Sequence, residues 1–551
     1  MNFLRDTPVL ILGLGSSGLA MARWCVLRGA RVSVWDSRAA APQDGALAQE
    51  LPSVQRLTSL PLLEREREQS QFRLILKSPG LSPHDERIEP LLRAARANGL
   101  TVWGELDLFV QALADLKAER GYAPQLLAIT GTNGKTTVTA MTALLVERAG
   151  KTVVMAGNIG PTLLDTLQAQ LDAVAAALAL TPALEAVAEQ TSAADSSDAV
   201  PQLPQVWVLE LSSFQLEGGG SGVQGFEPAA ATVLNVTQDH LDWHGSMAAY
   251  VAAKARVFGP QSVMVINRDD SVVQAMVPVP AAIKNKALKT AVKPVVRQLL
   301  RFGLSAPQHP GDFGVVEEGG IAWLARALPT DDTFKRKKGD AEEELHLQRL
   351  MPADALRVRG RHNAANALAA LALATAIQCP LAPMLHGLRE YRGEPHRLQF
   401  VLRADGVDVY DDSKGTNVGA TVAALLGLGA DQAPGRLLVV LGGDGKGQDF
   451  SPLLQPLARH ARAVATIGRD AERIEAALAT LAANAETAGL QLQRFTTLQA
   501  ATAWCLAQAH SGDAVLLSPA CASLDMFDNY AHRARVFVDA VQAWAADRGQ
   551  A

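Results

Sequence analysis

An α/β chain of three domains is predicted by three observations. A strand, glycine loop and helix open the sequence, a second and chemically different glycine loop lies near residue 131, and apolar strand runs restart after His396. These define a Rossmann-like N-terminal domain over 1–118, a central P-loop ATPase-type domain with a parallel sheet over 119–392, and a Rossmann-like C-terminal domain over 393–551. A chain of 551 residues is too long for one core.

In the first domain the pattern predicts a strand over 9–12, the turn Gly13-Leu14-Gly15-Ser16-Ser17-Gly18, a helix over 19–28 with Gly29 as its cap, and a strand over 32–35 ending in Asp36. A further apolar run over 74–76 leads into Lys77-Ser78-Pro79-Gly80, and a helix is expected over 88–98. The GxGxxG spacing fits NAD, FAD or a nucleotide sugar, and also a purely structural tight turn. In the middle section an apolar run over 126–129 precedes Thr130-Gly131-Thr132-Asn133-Gly134-Lys135-Thr136-Thr137, and an amphipathic helix follows over 138–149. Strand-like runs at 153–156, 206–209, 231–236 and 263–267 alternate with helical patterns, predicting a parallel sheet covered on both faces. Two stretches read as insertions: 165–204, expected to hold a helix and a mobile loop, and the basic, polar 284–293. A helix over 361–378 leads to a linker, and strands at 407–410, 437–441, 463–467 and 514–517 build the last domain.

Composition narrows the function classes. Apolar residues at 48%, charged residues at 19% and a net charge of -5 describe a soluble globular protein with no electrostatic case for nucleic acid or an anionic membrane. Cys25, Cys379, Cys505 and Cys521 are far apart and form no disulfide or metal spacing, so they suit a reducing cytoplasm as buried thiols. No export signal is expected at the N-terminus, and Thr181, Pro182 and Glu185 disqualify the alanine-rich 171–188 as a membrane span.

The loop at 131–136 carries the most specific chemistry. Its glycines let backbone N–H groups face an anion, the helix N-terminus adds partial positive charge, and Lys135 and Thr136 supply an ammonium and a Mg²⁺-ligating hydroxyl. It departs from GxxxxGK[ST], whose first glycine falls at Ile129. A nicotinamide enzyme using the first glycine loop has no need of this second one. Glu210, at the carboxyl end of the 206–209 strand, points where a nucleotide would lie and could share Mg²⁺ with Thr136. A lone His240 or Lys254 would ordinarily be structural or solvated.

In order along the chain, TGTNGKTT (130–137), ELSSFQ (210–215), NVTQDHLD (235–242) with Lys254 in YVAAK, DDSKGTN (411–417) and SPACASLDMF (518–527) resemble the Mur ligase family, ATP-dependent amide-bond-forming enzymes of peptidoglycan assembly. The resemblance implies that Gly131, Thr132, Asn133, Gly134, Lys135, Thr136, Thr137, Asn363, Asn366, Arg397 (beside His396) and Asp412 hold ATP. It places a UDP-sugar on Ser16, Ser17, Asp36, Ser37, Arg38, Gly80 and Asn158. It implies catalytic roles for Lys135, Glu210, His240 and Lys254, with two Mg²⁺ ions on Thr136, Glu210, His240 and a carbamylated Lys254, because an unmodified ammonium cannot ligate a cation.

DSKxTN and SPACASLDxF resemble the branch of the family that adds D-glutamate to UDP-N-acetylmuramoyl-L-alanine through an acyl phosphate. That implies D-glutamate contacts from Lys414, Thr416, Lys446, Ser523, Leu524 and Tyr530, where Tyr530 departs from the Phe often found in the family. The implied protein is a cytoplasmic monomer with ATP as co-substrate and no nucleic-acid or membrane partner. The competing readings are a family member using another amino acid, a nicotinamide oxidoreductase and a P-loop switch protein.

Overall fold

The computed structural model describes residues 2–61, 71–188, 202–219, 222–278, 297–329, 345–482 and 490–550. The expected insertion at 284–293 and residues 189–201 of the other lie outside them.

The first sheet is parallel throughout: β1 (Pro8–Leu12), β2 (Arg31–Trp35), β3 (Gln55–Leu57), β4 (Leu74–Lys77) and β5 (Thr101–Trp103), in the order β3-β2-β1-β4-β5. β4 is buried at every position and β1 at nearly every one, which is why both read as unbroken apolar runs. The first helix, Ser16–Leu27, starts inside the glycine loop. A β-carbon at residue 18 would lie 2.0 Å from the Gly13 carbonyl oxygen, so only glycine lets this helix approach β1. The helix Glu105–Arg120 runs across the expected boundary at 118, packs against the helix Leu163–Ala188, and sets Phe109 edge-on to Trp207 of the central sheet at 5.1 Å.

The central sheet has nine strands: β6 (Gln125–Thr130), β7 (Val153–Gly157), β8 (Val206–Glu210), β9 (Ala230–Val233), β10 (Val263–Asn267), β11 (Leu299–Phe302), β12 (Phe313–Glu318), β13 (Ile321–Pro329) and β14 (Leu345–Pro352). Their order is β14-β13-β12-β11-β10-β9-β6-β8-β7. The expected strands and their neighbours, β6 to β12, run parallel, and the sheet is extended at one edge by β13, which pairs antiparallel with both β12 and β14. These outer strands keep one face partly in water, as antiparallel strands can.

The fourth expected strand also ends early, at Val233 rather than 236, because the chain beyond it turns its backbone to the glycine loop. Leu234 N donates to Thr130 O and Thr132 N to Asn235 O, both at 2.9 Å. The alanine-rich helix Arg361–Ala376 is almost wholly buried, and its small side chains let it lie close against the helix Lys135–Arg148 that begins at that loop. The helix Leu163–Ala188 continues through Thr181, Pro182 and Glu185, yet no helix among the described residues is long and apolar enough to cross a membrane.

The third sheet contains β15 (Gln399–Ala404), β16 (Val407–Asp411), β17 (Leu437–Gly442), β18 (Ala461–Ile467), β19 (Gln491–Arg494) and β20 (Ala514–Leu517), in the order β15-β16-β20-β17-β18-β19. Only β15 is antiparallel to its neighbour. All four cysteines are buried free thiols.

Candidate functional site

In an open α/β sheet the crevice for a ligand lies beyond the carboxyl ends of the strands, where strand order reverses. In the first sheet that point lies between β1 and β4. A cleft of about 740 Å³ opens there, lined by Ser16, Ser17, Asp36, Ser37, Arg38 and Gly80, and closed on the far side by Asn158, Phe214 and Gln215 of the central domain. Every residue expected to hold the sugar nucleotide faces this one cleft.

Asp36 has little left to offer a ribose. Its Oδ2 accepts from Leu14 N at 2.7 Å, while Oδ1 accepts from Arg38 N and Nε, both at 2.9 Å. Burial pushes this carboxyl up, but the Arg38 guanidinium and the two backbone N–H groups outweigh it and hold the group well below the usual range. Asp36 therefore fixes the glycine loop and aims Arg38. Asp85 and Arg87, paired at 2.5 Å, and Thr162 also line the cleft; no motif pointed to them.

At the reversal point of the central sheet lies the phosphate loop. Lys135 Nζ donates to Gly131 O and Thr132 O, both at 2.9 Å, and Lys254 Nζ donates to the same Gly131 O at 2.8 Å. The loop is braced from β9's continuation: Asn133 N donates to Asn235 Oδ1 at 2.8 Å, and Thr132 Oγ1 lies 3.1 Å from the Tyr250 hydroxyl. Burial pushes both lysines down from the usual ammonium range, Lys254 far down, with the charge of Lys135 adding to the effect at Lys254. Lys254 is only 2% exposed, and its ammonium sits 4.4 Å from the Tyr250 ring centre. Burial thus shifts Lys254 toward its neutral amine, the form that can act as a nucleophile.

Glu210 ends β8 beside this loop. At Gly157, the last residue of β7, φ is +114° and a β-carbon would lie 2.3 Å from the Glu210 carbonyl oxygen, so only glycine can turn the chain here. The turn delivers Asn158, whose Nδ2 donates to Glu210 Oε1 at 2.8 Å; Glu210 Oε2 is buried and has no partner. His240, at φ +54°, caps the short helix Leu241–His244, with its ring edge-on to Phe214 at 4.7 Å. Burial lowers its imidazole and the neighbouring lysines 446, 135 and 254 lower it further, against the pull of Asp239, so the neutral form is favoured.

The structure thus brings Thr136, Glu210, His240 and Lys254 around one loop. Among the described residues no group of three His, Cys, Asp or Glu could hold a metal ion. The orphaned oxygen of Glu210 and the neutral imidazole fit a divalent cation; Lys254 fits only once converted to a carbamate.

The third domain closes over the loop. Arg397 Nη2 donates to Thr136 Oγ1 at 2.7 Å, while Arg397 Nε is buried without a partner. Asn366 Nδ2 donates to Asn363 Oδ1 at 3.0 Å, and both amides line a small cleft with Thr137, Arg397 and Asp412. Asp412 is buried and pushed up to about 7 by burial, against hydrogen bonds from Ser518 and Leu398 N and the charge of Arg397. Its neighbour Asp411 accepts from His396 Nδ1 at 2.6 Å.

Lys414 is half-buried, 5.2 Å from the Tyr530 ring centre and within the fields of Arg397, Glu210 and Lys135. Thr416 follows on the same loop, with its N–H donating to Lys414 O at 3.0 Å. Lys446, at φ +50°, lies beyond β17, close enough to perturb His240. Ser523 is buried and Leu524 is 74% exposed, both beyond β20. The loops after β16, β17 and β20 again flank a strand-order reversal.

A phosphate loop met by the third domain, with a second cleft at the carboxyl edge of the first sheet, defines a three-domain nucleotide-binding protein of the ligase type. Residues 7–104 match the MurD-like N-terminal domain of Mur ligases, 129–297 the Mur ligase middle domain, and 396–521 the Mur ligase glutamate ligase domain. The chain is 54% identical to the UDP-N-acetylmuramoylalanine–D-glutamate ligase of Albidiferax ferrireducens, over 100% of this chain and 99% of that one. It is 51% identical to the enzyme of that name from Burkholderia mallei, over 99% of each. Among solved structures, the Thermotoga maritima UDP-N-acetylmuramate-alanine ligase shares the fold with a TM-score of 0.51 at 18% identity, covering 97% of this chain and 99% of that one. The Thermotoga maritima MurF ligase in complex with ADP does so with a TM-score of 0.51 at 14% identity, covering 99% and 96%. The chain belongs to the Mur ligase family.

Proposed function

We propose that this chain joins D-glutamate to UDP-N-acetylmuramoyl-L-alanine, converting ATP to ADP and phosphate. The full-length likeness to D-glutamate ligases supports the choice of amino acid. One geometric observation carries the chemistry: the sugar-nucleotide cleft ends at Asn158, which touches Glu210 beside the phosphate loop, and the third domain reaches the same loop through Arg397.

A carboxylate is a poor acylating agent at neutral pH, so the alanyl carboxylate must first be activated. It attacks the γ-phosphorus of ATP, a new C–O–P link forms, and the bond to ADP breaks. Lys135, the loop N–H groups and Arg397 stabilise charge on the transferring phosphoryl group. Two Mg²⁺ ions held by Thr136, Glu210, His240 and carbamylated Lys254 would neutralise part of that charge. Carbamylation suits Lys254 as the structure holds it: a neutral amine attacks CO₂, an N–C bond forms, and a proton leaves. The D-glutamate amine then attacks the acyl carbon and phosphate departs. Lys414 and Lys446 supply cations for the acceptor's two carboxylates, and Thr416, Ser523, Leu524 and Tyr530 complete its site.

Closure of the third domain excludes water from the acyl phosphate. Adenine lies against Asn363, Asn366 and Asp412, and the UDP group against Ser16, Ser17, Ser37, Arg38 and Gly80. We read the protein as a cytoplasmic monomer, the four buried thiols supporting a reducing compartment. Domains over 1–118, 119–392 and 393–551 serve the sugar nucleotide, ATP and the amino acid respectively.

The test is phosphate release with ATP, Mg²⁺, UDP-N-acetylmuramoyl-L-alanine and a panel of D- and L-amino acids. D-glutamate should stimulate release most; a larger response to any other amino acid would refute the assignment.

A further inference from the structure

Asn417 belongs to the third domain, yet its side chain is bonded mainly to the second. As N-cap of the helix Val418–Asp431 it accepts from Ala420 N at 2.9 Å through Oδ1. That bond fixes which end of the amide is oxygen, so Nδ2 must face the central domain. There it donates to Asn133 Oδ1 at 2.9 Å and points at Asp239 Oδ2 at 3.5 Å, while Asn133 Nδ2 returns a bond to Asn417 Oδ1 at 3.2 Å. Asn417 is 5% exposed.

Two residues on, a β-carbon at Gly419 would lie 2.8 Å from Thr237 Oγ1 and 3.1 Å from Asn133 Nδ2. The first helical turn of the third domain therefore seats directly on the phosphate loop and on the loop bearing Asp239 and His240. An amide pair reads relative position more finely than a long cation such as Arg397, because both partners are short and each must donate and accept at once.

We propose that Asn417, with the space left by Gly419, is the positioning residue that registers the third domain on the phosphate loop, so that the acceptor amine meets the acyl phosphate only when this clasp is made. The inference rests on the ligase reading above for its chemistry, but not for its geometry.

The test uses the full chain with Asn417→Ser, which keeps a helix-capping oxygen but cannot span to Asn133, and Gly419→Leu, which favours the helix while blocking the approach. Both should unfold at nearly the wild-type temperature and bind UDP-N-acetylmuramoyl-L-alanine within about twofold of wild type. Their kcat should fall about tenfold or more, the loss expected from one or two buried amide hydrogen bonds. Asn133→Ser combined with Asn417→Ser should cost much less than the product of the single effects, as for two halves of one contact. In small-angle X-ray scattering with ATP analogue and sugar-peptide bound, both variants should keep a larger radius of gyration than wild type.

Wild-type kcat and radius in both variants, or fully multiplicative effects in the double variant, would overturn the proposal. Failure of the ligase reading itself would show separately, as wild-type protein that releases no phosphate in response to D-glutamate while the scattering difference persists.

Discussion

Replacing Arg397 by alanine separates what this side chain does for stability from what it does for chemistry. The variant loses one hydrogen bond from a charged group to Thr136 Oγ1, worth about 1.5–3 kcal/mol. It also removes the buried Nε–H that has no partner, a desolvation cost of about 1–3 kcal/mol. The two nearly cancel. At about 2–4 °C per kcal/mol for a unit of this size, the melting temperature should move by only a few degrees. With ATP in place the balance is different, because the guanidinium then faces charge that develops during phosphoryl transfer. Loss of one such donor should lower kcat by about 100- to 1000-fold. Arg397→Lys should recover only part of this, since an ammonium keeps the charge but not the planar fork. Phosphate release at saturating substrates gives the rate, and differential scanning fluorimetry the stability. Activity within about threefold of wild type, or a melting temperature lowered by more than about 10 °C, would refute the reasoning: the first would take Arg397 out of the transition state, the second would make it a structural brace.

Lys254→Ala should abolish phosphate release, and short carboxylic acids such as acetate should restore a measurable part by standing in for the carbamate; undiminished activity would remove the carbamylation proposal. Lys77, buried behind the sugar-nucleotide cleft with its ammonium donating to Leu81 O at 2.9 Å, is lowered by burial to about 8 from an ordinary 10.5. The unfolded chain therefore binds a proton the folded one lacks between those values, so the resulting penalty is complete below about 8 and gone above about 10.5. Chemical denaturation should show wild type gaining about 3 kcal/mol relative to Lys77→Met as pH rises through that window. Lys414→Met should raise the KM for D-glutamate at least about tenfold and change the KM for ATP little; the converse in initial-rate kinetics would move Lys414 from the acceptor to the nucleotide.

The strands legible in the sequence were those buried on both faces, because such strands read as continuous apolar runs. β4, β8, β17 and β20 are of this kind. β19 is exposed at every position and carries no hydrophobic signal, while β15 has only the short apolar run Phe400-Val401-Leu402 on a strand exposed at half of its positions, and neither is legible as a strand. β12 to β14 mix polar and apolar residues on an edge that turns antiparallel, and no period in the sequence announced the reversal.

The candidate site was legible where a charged residue stands in a motif beside an element end, as with Lys135 at the start of its helix, Glu210 at the end of β8 and Arg397 just before β15. Residues that hold those residues were not. Tyr250 against Thr132, Asn235 against Asn133, and Phe214 stacked on Trp243 at 4.5 Å are ordinary residue types whose importance arises only from contacts between distant segments. Asp36 shows the reverse case. Its position after β2 places it on the lining of the cleft, but does not reveal that its oxygens are already engaged by Arg38 and Leu14 N.

Asn158 belongs to two chambers at once, lining the first cleft while its amide donates to Glu210 Oε1 beside the phosphate loop. A guest that captures this amide leaves a second lone pair of Glu210 bare, which deepens the negative well next door. The chambers can thus communicate by reassigning one proton donor, with the polypeptide standing still. Order of loading would then be written into a hydrogen bond rather than into a hinge.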